Sequence, residues 1–83
     1  MAMNVNVQFF SYFKQLTGTS AVLEVLPEGA TVENLLRVLS QRYPKLRGAE
    51  RSTLVAVGVD YAPREQVLRE GEEVSVFPPV QGG

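Results

Sequence analysis

Apolar and polar residues alternate at the start of the chain: Val5, Val7 and Phe9 hold one parity, and Asn4, Asn6 and Gln8 hold the other. Successive side chains of a strand point to opposite faces, so residues 3–13 open as a half-buried β-strand. The cluster Thr17-Gly18-Thr19-Ser20 marks a turn, and residues 21–26 read as a second strand, hairpin-paired with the first. Then the period changes. Val32, Leu35, Leu36, Leu39 and Tyr43 follow the i, i+3, i+4, i+7, i+11 stripe of a helix lying on a core. Thr31 is a suitable N-cap, Glu33 places an anion in the first turn, and Pro44 stops the helix.

The apolar run Leu54, Val55, Ala56, Val57 and Val59 predicts a strand covered on both faces for part of its length. Residues 60–66 read as irregular and Val67-Leu68 as a short edge strand. Glu70-Gly71 is a turn, and residues 73–77 are the last strand, ended by Pro78-Pro79 because proline has no N–H for a ladder. The order is β-β-α-β-(β)-β. It can be laid out as an α+β domain with a mixed four- to five-stranded sheet and one main helix on one face. The first and last strands would then be parallel neighbours at the centre. That arrangement is the β-grasp, the ubiquitin-like fold. The expected organisation is a β-grasp domain over residues 1–79 and a flexible tail over residues 80–83.

Parity also says what the helix-free face carries. With Val5, Val7 and Phe9 inward, Phe10 points to the other side; with Val74 and Val76 inward, so does Phe77. The third strand leads by parity to Tyr61 near its end. Phe10 and Phe77 would form an exposed aromatic patch of the kind that docks proteins. The competing reading has Phe10 packing on Tyr12 or Phe13 in a small satellite cluster.

Composition narrows the chemistry. The 83 residues fit one domain, and 45% apolar with 20% charged residues suits a globular chain. The net charge of -1 argues against a general nucleic-acid binder, and no apolar run is long enough to span a bilayer. The N-terminus lacks the basic-then-apolar pattern of a secretory signal, so a soluble, cytoplasmic protein without membrane or nucleic-acid partners is expected. A basic stretch (Arg42, Lys45, Arg47, Arg51) and an acidic one (Glu70, Glu72, Glu73) read first as solvated surface and second as docking sites for opposite charge. There is no Cys, His or Trp, which removes thiol nucleophiles, thiolate and imidazole metal ligands and the commonest general base. No metal site is expected, and no autonomous catalytic activity.

What remains is the ending, VFPPVQGG. The α-carboxylate of Gly83 becomes an electrophile once activated as an acyl-adenylate, and a sulfur nucleophile can then attack it. Both steps need another protein's active site, and glycine allows close backbone approach within a narrow channel. Pro78-Pro79 favour extended geometry. Val80, Gln81, Gly82 and Gly83 would then thread into a partner over at most about 13–14 Å.

This ending resembles that of the small, sulfur-carrying subunits of molybdopterin synthase. VNVQFFSYFKQLTG resembles the family's first strand and following helical turn, TVENLLRVLSQRYP its helix, and LREGEEVSVFPPVQGG its closing segment. The resemblance implies that Gly83 is adenylated with ATP by an adenylyltransferase resembling ubiquitin-activating enzymes. A cysteine desulfurase system then supplies sulfur, and Gly83 becomes a thiocarboxylate. The tail next enters the large catalytic subunit of a heterotetrameric synthase, where it donates sulfur for the dithiolene of molybdopterin. The isolated chain would bind no cofactor. By the same resemblance Phe10, Tyr61, Phe77, Pro78 and Pro79 dock on the large subunit. The chain departs from the family at Gly58, where Asn is common. Sulfur carriage for thiamin thiazole synthesis or transfer-RNA thiolation, a ubiquitin-like protein modifier and a plain interaction domain are the alternatives.

Overall fold

A computed structural model of the chain describes residues 1–49 and 52–79. The first strand, β1 (Ala2–Phe9), buries Met3, Val5, Val7 and Phe9 and leaves Asn4 and Asn6 exposed. It ends earlier than the sequence pattern predicts. Phe10 still donates its N–H to the Val76 carbonyl, and the chain then turns through Ser11, at φ 58°, into a short helix, α1 (Phe13–Thr17). Phe9 and Phe13 are four residues apart, and the turn lets both rings reach the core. Gly18, at φ 77°, caps α1 in the left-handed region, where a residue without Cβ is unstrained.

The second strand, β2 (Ala21–Pro27), pairs antiparallel with β1, with Val7 opposite Val22 and Val5 opposite Glu24. The main helix, α2 (Val32–Arg42), starts where Thr31 predicts. The Thr31 hydroxyl accepts from the Asn34 N–H at 3.2 Å, and the Asn34 side-chain oxygen accepts from the Thr31 N–H at 2.9 Å. This is a reciprocal cap with Asn in the third position. Val32, Leu35, Leu36 and Leu39 are buried, as the stripe predicts. Tyr43 caps the helix C-terminus half-buried, its ring edge-on to Phe9 at 5.7 Å. A 3-10 turn (Pro44–Leu46) follows and buries Leu46.

The third strand, β3 (Leu54–Val57), turns through Gly58 and Val59 into a two-residue strand, β4 (Asp60–Tyr61). Gly58 sits at φ 64°, in a two-residue hairpin connection that Gly and Asn fill more readily than other residues. The last strand, β5 (Glu73–Phe77), lies parallel to β1 and antiparallel to β3. The sheet order is β2-β1-β5-β3-β4, the mixed β-grasp arrangement with α2 on one face.

Two expectations need correction. The run from Leu54 is not covered on both faces: only Val55 is buried, Leu54 and Ala56 line the open face, and Val59 is 96% exposed at the turn. Its apolar residues serve two surfaces, which a one-dimensional pattern merges. Val67-Leu68 is not a strand but a single bridge to Thr31, with Leu68 buried and its N–H on the Ala30 carbonyl. The fifth strand is β4, within a stretch that reads as irregular, because two residues are too few to show periodicity.

The apolar core is one cluster between α2 and the sheet, with α1 and the 3-10 turn closing one end. Each fully buried Leu or Phe contributes about 1.5–3 kcal/mol relative to exposure, so Phe9, Phe13, Leu35 and Leu39 anchor the fold. Glu24 is the exception in this layer. The residue is 5% exposed on β2, and its carboxylate accepts from the Arg42 guanidinium at 2.7 Å, while Arg42 also lies over the Tyr43 ring.

Candidate functional site

The helix-free face of the sheet is polar in its middle, with Asn4, Asn6 and Gln8 along β1, and aromatic at one corner. Backbone register creates that corner. The Phe10 N–H bonds to the Val76 carbonyl, which extends the β1–β5 ladder by one residue and puts Phe10 beside Phe77. Leu54 pairs with Phe77, Ala56 with Ser75, and Tyr61 with Ala56, so four strands contribute to one surface.

The rings are in contact. Phe10 and Phe77 meet edge to face with centroids 6.2 Å apart, and Tyr61 tilts against Phe77 at 5.8 Å. Phe10 and Tyr61 are exposed, and Phe77 is half-buried between them. Phe10 therefore packs on Phe77, and the Tyr12–Phe13 contact, at 5.3 Å, is a separate pair. Tyr61 reaches the patch by the β3–β4 hairpin and not by continuing the parity of β3, because the chain reverses at Gly58.

Beside the rings lies an open groove of about 640 Å³ lined by Phe10, Ser11, Tyr12, Ala56, Ser75, Phe77, Pro78 and Pro79. Four of the expected docking residues thus line one surface, and Tyr61 buttresses it through Phe77. Ser11, Tyr12, Ala56 and Ser75 belong to it as well and are not singled out by the pattern of the sequence. Ala56 and Ser75 share the open-face parity, which would have found them; Ser11 and Tyr12 arrive by the turn after β1, which parity does not encode. The groove offers apolar area with three hydroxyl-bearing side chains, Ser11, Tyr12 and Ser75, the make-up of a recognition surface.

The parallel pairing of β1 and β5 decides where the end of β5 lies. Pro78 and Pro79 are at the lip of the groove, next to the β1–α1 turn. Val80, Gln81, Gly82 and Gly83, the expected threading tail and its reactive terminus, lie outside the described residues. Among the described residues, no group of three His, Cys, Asp or Glu side chains could hold a metal ion, and no helix is long and apolar enough to cross a membrane. No buried side-chain polar atom there lacks a partner.

Known proteins share this architecture. The chain is 35% identical over 82 residues to the molybdopterin synthase sulfur carrier subunit of Mycobacterium tuberculosis, covering 98% of this chain and 99% of that one. It is 33% identical, over 98% of its length and 100% of the relative's, to small archaeal modifier protein 3 of Haloferax volcanii. A Pyrococcus furiosus structure assigned as molybdopterin converting factor subunit 1 superposes with a TM-score of 0.86 at 31% identity, covering 94% of this chain and 99% of that one. The fold also matches, at a TM-score of 0.67, 23% identity and coverage of 98% and 100%, a chain in a complex of subunits 1 and 2 of the Helicobacter pylori molybdopterin-converting factor. Residues 7–83 match the ThiS family, and with nearly the whole chain covered, this protein belongs to it.

Proposed function

We propose that this chain is the sulfur carrier subunit of a molybdopterin synthase, with the Gly83 carboxylate as the group that carries the sulfur. A partner resembling ubiquitin-activating enzymes would activate it: the carboxylate oxygen attacks the α-phosphorus of ATP, and pyrophosphate leaves. The terminal sulfur of a persulfide, charged by a cysteine desulfurase, then displaces AMP from the acyl carbon. A second thiol cleaves the resulting acyl disulfide, giving the Gly83 thiocarboxylate and a disulfide on the donor. The large synthase subunit accepts the loaded tail, and each transfer returns Gly83 to a carboxylate. The chain supplies docking and reach, and the catalytic groups belong to its partners.

The observation that carries this reading is the position of Pro78-Pro79. The parallel β1–β5 pairing brings them to the lip of the aromatic groove, in a chain that matches sulfur carrier subunits over nearly its full length. A surface for docking and the stem of the tail therefore sit side by side. The assembly of subunits 1 and 2 in the Helicobacter pylori complex supports a large-subunit partner.

The test is intact-protein mass spectrometry after incubation with the activating partner, ATP and a sulfur donor. The expected product gains the mass difference of one oxygen exchanged for sulfur, localised to Gly83. No such shift overturns the reading. The likeness to an archaeal modifier protein favours a second reading, conjugation to protein lysines. In that case the same incubation with cell extract yields isopeptide adducts through Gly83 in place of a stable thiocarboxylate.

A further inference from the structure

The two edges of the sheet are built differently. β4 is two residues long and carries exposed Asp60, and both its length and its charge discourage a further strand. β2 is seven residues long, runs in unbroken register along β1 and meets a proline only at its last residue, Pro27. On the helix-free face it carries Leu23 and Val25, 55% and 60% exposed, with Ala21 exposed beside them. Its one charge, Glu24, points to the core side and is already paired with Arg42. A long apolar edge of this kind offers its backbone to another strand.

Backbone bonding fixes which groups that edge offers. Phe9 donates its N–H to the Ser20 carbonyl, and Glu28 donates to the Met1 carbonyl. Bonded pairs alternate along an antiparallel ladder, so the even-numbered residues of β2 bond to β1. Ala21, Leu23 and Val25 therefore aim their N–H and C=O groups away from the sheet. The Thr19 hydroxyl donates to the Ala21 carbonyl at 3.0 Å, which leaves that oxygen one further lone pair.

We propose that β2 pairs antiparallel with β2 of a second copy of this chain, about a twofold axis at Leu23. Charge selects the register. Setting Leu23 opposite Val25 of the second copy would put the two Glu24 carboxylates directly against each other, which destabilises a ladder. Centring on Leu23 instead sets Glu24 against the other copy's Val22, while each Glu24 keeps its own Arg42. The same register brings Val25 over the smaller Ala21, where an open hollow of about 460 Å³ is lined by Ala21, Leu23, Asn6 and Gln8 among others. Leu23 faces Leu23, and each facing pair closes two backbone hydrogen bonds. A net charge of -1 per chain leaves little repulsion between copies. The seam is smaller than the about 1,200–2,000 Å² of a stable complex, so the dimer exchanges with monomer. No residue of β2 lines the aromatic groove, so both grooves stay open. The two β1 strands run in opposite directions, which sends the two tail stems to opposite ends of the joined sheet.

The experiment is sedimentation equilibrium of the full chain from about 10 μM to about 1 mM, a range that reports weak association. The weight-average mass of the wild type should rise from one chain toward two. Leu23→Lys sets like charges against each other at the axis and should stay at one chain throughout, with a thermal melt like that of wild type because Leu23 is exposed. The chain has no cysteine, so Leu23→Cys adds a single thiol that a short bismaleimide should join into a covalent dimer. Val59→Cys, 96% exposed at the turn beyond the opposite edge, should remain uncrosslinked under the same conditions. A wild type that stays at one chain up to the highest concentration overturns the proposal. So does a Leu23→Lys variant that still dimerises, which would place the contact elsewhere, and so does a mass that climbs past two chains, which would show an open assembly. A monomeric wild type whose Leu23→Lys variant loses the large synthase subunit would assign this edge to that subunit and equally overturn the pairing of copies.

Discussion

Phe10 and Phe77 meet edge to face, 6.2 Å between centroids, although 66 residues separate them in the chain. The contact exists because β5 pairs parallel with β1 and the ladder extends one residue beyond β1 through the Phe10 N–H. Edge-to-face aromatic pairs add about 0.5–1.5 kcal/mol beyond the area they bury. Here the pair also holds Phe77 in place between Phe10 and Tyr61, so that the side chain nearest the stem of the tail is presented in a set orientation.

That orientation predicts the effect of Phe77→Ala. Phe77 is half-buried and outside the main core, so the variant should keep its fold, checked by thermal melting. Affinity for the large subunit should fall by about 1–3 kcal/mol, as truncating an aromatic anchor does. Calorimetric titration of wild type and variant decides it, and unchanged affinity would reject the groove as the docking face.

The tail makes a sharper demand. Removing Gly83, or adding one residue after it, moves the carboxylate by about 3.3–3.6 Å, more than an active site tolerates. Synthase activity should be lost in both variants while their melting temperatures match wild type. Retained turnover in either would show that the reactive group is elsewhere.

The Glu24–Arg42 pair lies on the core side of β2, opposite Val5, and bears on stability. Arg42→Ala leaves a nearly buried carboxylate without its partner, and urea denaturation should show a loss of about 1–3 kcal/mol. The guanidinium is half-exposed, which keeps the effect below that of a fully buried pair. Adding Glu24→Gln to Arg42→Ala should recover part of the loss, because the orphaned charge is then gone. No recovery would mean that the cost comes from losing the Arg42 guanidinium over the Tyr43 ring.

Much of this protein is legible along the chain, where the determining interactions are local or periodic. Val5, Val7 and Phe9 alternate, and β1 buries them; the Leu35, Leu36 and Leu39 stripe is the buried face of α2; Thr31 caps where a hydroxyl before that stripe should. The outward parity of Phe10 and Phe77 likewise survives in the sheet. These follow from a strand period of two and a helix period of 3.6. The absence of Cys and His, and the Gly82-Gly83 ending, are properties of the sequence that need no fold to state.

Tertiary structure decided what depends on distant partners. The strand of residues 60–61 exists only because β3 offers its edge, and Val67-Leu68 fails as a strand because Leu68 is drawn into the core and only Val67 bridges to Thr31. Tyr61 comes to Phe77 through a chain reversal at Gly58, not through parity. The Glu24–Arg42 pair joins residues 18 apart on separate elements, which no periodic pattern records. Periodicity records which face a side chain takes; only packing brings faces from separate elements to one place.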